Sequence, residues 1–221
     1  MDSLPIGEYA LLSDCRSAAL ISRDGSVDRL CFPRFDGPSV FCRLLDPAGG
    51  HFAIRPAGEF QVSRRYVDQT LVLETTFTTA RGTAVLTDAL AVGRNERGHR
   101  LGAHSPGTLL RSLTCARGEI QAEVSYAPRP EYGLIHPVLV PVPGGLTARG
   151  GANPSPAAHR ARLSAAAASR SGLQHPPPAE VRSSLASEGG QLPVARISGA
   201  SALAASAMDS GPVPPASSTT R

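Results

Sequence analysis

Residues 70–79 read TLVLETTFTT. Leu71, Leu73, Thr75 and Phe77 alternate with Val72, Glu74, Thr76 and Thr78. Successive side chains of a strand point to opposite faces, so this alternation predicts a strand with one packed and one wet face. EIQAEVSYAP, residues 119–128, repeats the pattern, with Ile120, Ala122, Val124 and Tyr126 set against Gln121, Glu123 and Ser125. Shorter runs predict strands at 18–22, 27–32, 51–54, 60–66, 83–86, 109–115 and 134–140. Breakers separate them: Asp24-Gly25 is a two-residue hairpin signal, and 47–50, 80–82, Arg117-Gly118 and 141–145 do similar work. Many short strands joined by Gly or Pro turns make the expected class all-β, an antiparallel sandwich. One helical turn is expected over 39–45, after Pro38, presenting Val40, Phe41 and Leu44 to the sheet.

The rhythm stops near residue 150. All ten Phe and Tyr residues lie at or before Tyr132, whereas residues 151–221 hold 17 Ala, 13 Ser, 9 Pro and three acidic residues. That stretch has little large apolar surface to offset the entropy of ordering its backbone. The chain therefore divides into a foldable domain, residues 1–150, and a low-complexity tail, residues 151–221, expected to be disordered. A short alanine-driven helix over 158–172 is the tail's only structural signal. There is no Lys, and Arg carries all the basic charge, as strong GC codon bias would produce. A reading-frame slip near 151–155 would generate this tail, and a truncated gene product is the expectation.

Residues 1–150 carry 16 Arg against 15 Asp and Glu, so they are close to neutral. No stripe of Arg interleaved with aromatics appears, which argues against nucleic acid as a partner. No 18-residue apolar span exists, so no membrane crossing is expected. The N-terminus MDSLPIGEYALLSDC lacks a basic region and a long apolar run, so a cytoplasmic location is expected. Cys15, Cys31, Cys42 and Cys115 show no CxxC spacing and read as reduced, mostly buried thiols. His99 and His104 fall in a charged loop, residues 93–108, with no common face, and read as solvent-exposed. Neither a metal nor a cofactor is expected.

Catalytic patterns are missing. No GxSxG, GxGxxG or GxxxxGK[ST] motif is present, and no Ser or Cys sits beside a base. Glycoside hydrolysis needs a protonated and an ionised carboxyl on either side of the scissile bond. Asp28 and Asp36 have Arg29 and Arg34 close by in sequence, and ion pairing would keep both carboxylates charged. No catalytic residue is assigned. VDRLCFPRFDGPSVF, residues 27–41, supports two compatible readings: Phe32, Phe35 and Phe41 form a core cluster, while Arg29, Arg34 and Asp36 project from the rim onto a sugar or another domain. Asp28, Arg29, Arg34, Phe35 and Asp36 are thus the candidates for substrate or domain-interface contact.

Residues 6–56, IGEYALLSDCRSAALISRDGSVDRLCFPRFDGPSVFCRLLDPAGGHFAIRP, resemble the opening of bacterial and archaeal family-15 glycoside hydrolases, a group of glucoamylase-like, glucodextranase-like and trehalase enzymes. The similarity continues through residues 64–90 and 111–133 and fades after GGLTARGGA, residues 144–152. The resemblance implies an N-terminal, trehalase-like super-β-sandwich that packs on a C-terminal (α/α)6 barrel. It also implies hydrolysis with inversion of an α-glucosidic bond by two glutamates of that barrel, neither of which maps onto this chain. The implied function is therefore a noncatalytic sandwich domain. The alternative is a module that binds an α-glucan or disaccharide, or pairs with a separately encoded barrel. The family motif carries Trp where this sequence has Arg29, and a charged fork in place of a flat ring is expected to weaken docking or sugar contact.

Overall fold

The protein is described by a computed structural model covering residues 4–142, 145–150, 160–162, 181–188 and 191–198. Its strands in the first half are β1 (Tyr9–Ser13), β2 (Ala18–Ser22), β3 (Ser26–Cys31), β4 (Ser39–Phe41), β5 (His51–Pro56), β6 (Gln61–Tyr66) and β7 (Leu73–Thr78). The second half adds β8 (Gly82–Leu90), β9 (Thr108–Ala127), β10 (Val138–Val142), β11 (Gly145–Arg149), β12 (Arg160–Arg162), β13 (Val181–Glu188) and β14 (Gln191–Ser198). β1-β2-β3-β5-β9 form one run of neighbours and β6-β7-β8-β9 another, all antiparallel. The result is an all-β sheet curled into a sandwich-like half-barrel.

The alternation at 70–79 decides burial as expected. Leu73, Thr75 and Phe77 of β7 are buried, while Glu74 and Thr76 are half-buried and Thr78 is exposed. Leu71 departs from the pattern because it precedes the strand, and it is exposed. In β9, Leu109, Arg111, Leu113 and Cys115, then Ile120, Ala122, Val124 and Tyr126, are the alternating buried set, and Thr108 and Ala127 are buried at its ends. The Asp24-Gly25 hairpin forms between β2 and β3, where Gly25 takes φ +77° and its N–H donates to Ser22 O at 3.1 Å.

Two expectations are corrected. Residues 39–45 do not form a helical turn. Ser39–Phe41 is a strand paired with β3, so Val40 and Phe41 are buried, and only the turn closed by Leu45 N–H to Cys42 O at 3.0 Å follows. β-branched and aromatic side chains gain more on a pleated, packed surface than in one isolated turn. Arg117-Gly118 does not separate two strands. β9 runs through it and bends, with Gly118 at φ +69°. The halves of β9 lie in facing layers: Arg111 of the first half stacks over Phe52 at 4.8 Å, and Tyr126 of the second meets the same ring at 5.4 Å. A strand that changes layers at a bend is the standard way to close a sandwich corner.

Within residues 151–221, the described segments are β12, β13 and β14. β13 pairs with Glu119–Tyr126 of β9, and β14 pairs with Thr108–Thr114. The rest of residues 151–221 lies outside the described residues. β9 offers β13 and β14 each a free row of N–H and C=O groups, and backbone pairing needs no large apolar side chain. The proposed helix over 158–172 falls largely outside the described residues, and Arg160–Arg162 within it is a strand.

The core sits between the layers. Phe41, Phe52 and Tyr126 stack edge-on or tilted, with centroids 5.4–6.5 Å apart. One ion pair lies inside it with neither side chain exposed to solvent. Arg111 donates through Nε to Asp88 Oδ1 at 2.7 Å, through Nη1 to Phe52 O at 2.5 Å and through Nη2 to Gly25 O at 2.7 Å. Asp88 and Arg111 face each other across β8 and β9, so the guanidinium ties that layer to the β2–β3 turn and β5. Burial pushes the Asp88 carboxyl up, against the opposing charge and hydrogen bonds of Arg111.

Candidate functional site

The sequence candidates surround the end of β3 and the turn after it, and the structure sorts them into two groups. Asp28 does not project outward. It is 2% exposed, accepts from Ser26 Oγ at 2.7 Å and Tyr9 Oη at 3.1 Å, and pairs with Arg43 at 2.8 Å. Its cation is therefore Arg43, reached through the following turn, and not its sequence neighbour Arg29. Burial raises the Asp28 carboxyl, and Ser26 and Arg43 pull it back. The same burial, reinforced by the Asp28 charge, raises the Tyr9 hydroxyl to about 12. Asp28 is a structural anchor: it holds β1, β3 and the 43–46 turn together.

Arg29 also stays with its own domain. Its guanidinium lies 5.3 Å over the Tyr132 ring, and Nη1 donates to Cys42 Sγ at 3.2 Å. A planar cation thus covers an aromatic ring within the same domain.

Arg34, Phe35 and Asp36 do reach solvent. The chain turns tightly here, with Gly37 N–H donating to Arg34 O at 3.1 Å and Phe35 N–H to Arg16 O at 2.9 Å. Arg34 binds Asp36 in a fork, Nε to Oδ1 at 2.9 Å and Nη2 to Oδ2 at 3.3 Å. The Arg34 hydrogen bond holds the Asp36 carboxyl below its usual range. Phe32 and Phe41 are core residues as expected, but Phe35 is 68% exposed and is not part of the cluster. The turn lifts it off the strand, so period two no longer applies to it. On this rim one aromatic points out and one carboxylate points in, the reverse of the expectation for both.

One further feature borders this end. The loop between β8 and β9 is organised by Glu96, which sequence reasoning passed over in favour of the histidines. Its carboxylate accepts from the N–H groups of His104 at 2.6 Å and Gly102 at 2.7 Å and from His104 Nδ1 at 3.0 Å. His104 and His99 are exposed, as expected. Burial of Glu96 works against its charge, but the His104 and Gly102 amides outweigh it and hold the carboxyl below its ordinary value. A depressed folded pKa means the contribution is present at neutral pH and is lost as pH falls through that lowered value. Glu96→Gln is expected to increase hydrogen exchange at the Gly102 and His104 amides at neutral pH. Amide protection in the parent protein should fall to the level of the variant only on strong acidification.

At the opposite end a groove of about 300 Å3 is lined by Glu59, Arg81, Glu119 and Gln121 among others. Glu119 is held by Arg81 at 2.5 Å, so that carboxylate already has its cation. Cys31, Cys42 and Cys115 are buried thiols and Cys15 is an exposed one.

A family profile described as "Trehalase-like, N-terminal" matches residues 1–162. The chain is similar to the trehalase of Mycolicibacterium smegmatis, 39% identical over 138 residues that cover 58% of this chain and 21% of that protein. The trehalase of Mycobacterium tuberculosis gives 39% over 138 residues, 58% of this chain and 20% of that protein. Trehalase 1 of Sulfolobus acidocaldarius gives 36% over 124 residues, 56% of this chain and 19% of that protein. The chain spans about a fifth of the length of these curated relatives. No solved structure matches.

Proposed function

Because the chain belongs to the trehalase-like N-terminal family, we propose that it serves as the noncatalytic β-sandwich of an inverting hydrolase of α-glucosidic bonds. The acid and base of that hydrolysis come from an (α/α)6 barrel and not from the sandwich. Trehalose is the substrate favoured by the relatives' names, ahead of maltose or a longer α-glucan. The observation that carries this reading is the employment of the buried carboxylates among the described residues. Asp28 anchors β1 to β3, Asp88 meets Arg111, and Asp14 caps the β1–β2 turn by accepting from Ser17 N–H at 2.7 Å and Arg16 N–H at 2.9 Å. A general acid requires a carboxyl kept protonated and aimed at a leaving-group oxygen. Asp28 and Asp88 face cations of their own frame, and Asp14 is tied to its own turn through Oδ1, with Oδ2 buried and unpartnered. In the groove with Glu59, the other carboxylate, Glu119, is already held by Arg81 at 2.5 Å.

The purified chain is expected to leave trehalose, maltose and α-glucan unhydrolysed above background in a glucose-release assay. Turnover that disappears on a substitution within residues 1–150 would refute the proposal. A second reading, a sugar-binding module, is favoured by exposed Phe35 beside the Arg34–Asp36 fork, an aromatic face next to planar polar groups. Calorimetric titration with maltooligosaccharides separates the two, since only the second predicts heat that Phe35→Ala removes. The three buried, unpaired thiols suit a reducing compartment and favour the cytoplasm as its location.

A further inference from the structure

Cys31 and Cys42 are too far apart in sequence to read as a close ligand pair, and strand pairing brings them together. Leu30 stands opposite Phe41 across β3 and β4, so the same register carries Arg29 to Cys42. Arg29 Nη1 donates to Cys42 Sγ at 3.2 Å, just past the end of β4. Cys31 follows Arg29 by two positions on β3 and shares its face. The other face belongs to the core. Leu30, Phe32, Val40 and Phe41 are members of the apolar cluster, whereas Cys31 and Cys42 are not. Both thiols are nevertheless dry, at 3% and 2% exposed. Arg129 N–H donates to Val40 O at 2.9 Å and Tyr132 N–H to Ser39 Oγ at 3.1 Å, which lays the 128–137 loop along β4. The guanidinium of Arg29 thus touches a buried sulphur and stacks on Tyr132, a ring that reaches solvent.

The spacing of the two thiols decides what they can hold. Residues diagonal across an antiparallel pair lie about 7–8 Å apart at Cα, and a disulfide takes about 4.4–6.8 Å. In a sulphur–metal–sulphur bridge two bonds of about 2.3 Å replace one of about 2.05 Å, which covers the difference. No group of three or more His, Cys, Asp or Glu converges among the described residues, so zinc, which takes four ligands, is short of them. Thiolates select soft cations, and Cu(I) is satisfied by two. Charge points the same way. Burial pushes the Cys31 thiol up, Arg29 opposes this, and a charge on Cys42 adds to it, so two thiolates here need a second cation besides Arg29. With a monovalent ion the buried cluster is neutral; a divalent ion would leave an uncompensated charge, which is costly away from water. We propose that Cys31 and Cys42 form a two-thiolate site for Cu(I), with Arg29 as its neutralising neighbour. Binding replaces two S–H bonds by two Cu–S bonds and releases two protons to solvent, and no electron is transferred. Arg29 is a positioning residue that does not touch the metal. The site is independent of the function proposed above.

The test titrates Cu(I) itself, without oxygen, into the full 221-residue chain against a competing chelator, bathocuproine disulfonate. One Cu(I) per chain is expected to be retained, with X-ray absorption showing sulphur neighbours only. Cys31→Ala and Cys42→Ala should each abolish retention, whereas Cys15→Ala and Cys115→Ala should leave it unchanged. A buried thiol packs as a small apolar group, so alanine is a mild replacement, and denaturant titration checks that each variant folds. A second measurement needs no variant. In mild urea Cu(I) should slow alkylation of Cys31 and Cys42 on the unaltered chain and leave Cys15 as fast as before. Arg29→Met should weaken retention by about 10–100-fold, and Arg29→Lys should recover most of it. Both variants lose the flat contact with Tyr132, so the charge alone separates them. No retention, retention that survives both Ala variants, or two chains sharing one Cu(I) through Cys15 overturns the site. So does oxidation of Cys31 and Cys42 to a disulfide in place of metal uptake.

Discussion

Arg111→Leu is expected to destabilise the domain by about 3–5 kcal/mol, because it leaves Asp88 buried without its cation. A loss of that size is a large part of the total stability of an ordinary domain, about 5–15 kcal/mol. The substitution also leaves Phe52 O and Gly25 O without the guanidinium donors they now accept. Denaturant titration measures the effect, and its pH dependence identifies the cause. Burial already pushes the Asp88 carboxyl up, and Arg111 is the group that opposes this. Without Arg111 the folded-state pKa rises further above the unfolded value, so folding takes up a proton. Stability of the variant should then be greatest in acid and fall as pH rises through neutrality, with a larger deficit at about pH 7 than at about pH 5. Asp88→Leu combined with Arg111→Met should recover much of the loss, since an apolar pair leaves no stranded charge. A deficit that is independent of pH, or a double variant worse than either single one, would show that the ion pair is not what holds the layers.

Gly118→Ala is the second large effect. Gly118 adopts φ +69°, where an L side chain costs about 1–2 kcal/mol. A Cβ there would run into Arg81 O and come within 3.0 Å of Gly82 Cα, and both are backbone atoms that cannot rotate away. Overpacking against fixed atoms adds about 1–3 kcal/mol, for a total of about 3 kcal/mol. Gly58 provides the control, because it too has positive φ, +94°, but open space within 4 Å. Gly58→Ala should show only the backbone part. Thermal unfolding of the two variants side by side separates strain from collision. Equal losses would mean that the β9 bend tolerates a side chain and that the corner is looser than the contacts imply.

Most strands between residues 18 and 127 were legible in the sequence because their signal is local, whereas β1 and β4 were not and the strand expected from 134 begins at Val138. Period-two alternation placed β2 at its observed limits, Ala18–Ser22, and assigned every buried residue of 119–126 to the correct face. The buried ion pair had a signal too. Arg111 is in phase with Leu109, Leu113 and Cys115, and Asp88 is in phase with Leu86 and Leu90. A charge set on the apolar face of each of two strands announces a partnered interior pair, and that signal was passed over. Glu96 had no comparable mark, since its partners are loop amides whose positions only the fold defines.

By itself the sequence determined the all-β class, the strand faces and the family. Each of these depends on residues a few places apart or on composition. Only the tertiary structure decided which candidates are reachable, because that turns on partners far away along the chain. Arg43 and Tyr9 draw Asp28 inward, and Tyr132, 103 positions after Arg29, covers that guanidinium. The turn over 34–37 frees Phe35. Charge next to charge in sequence suggests an ion pair, but burial and the geometry of opposing strands choose the partner.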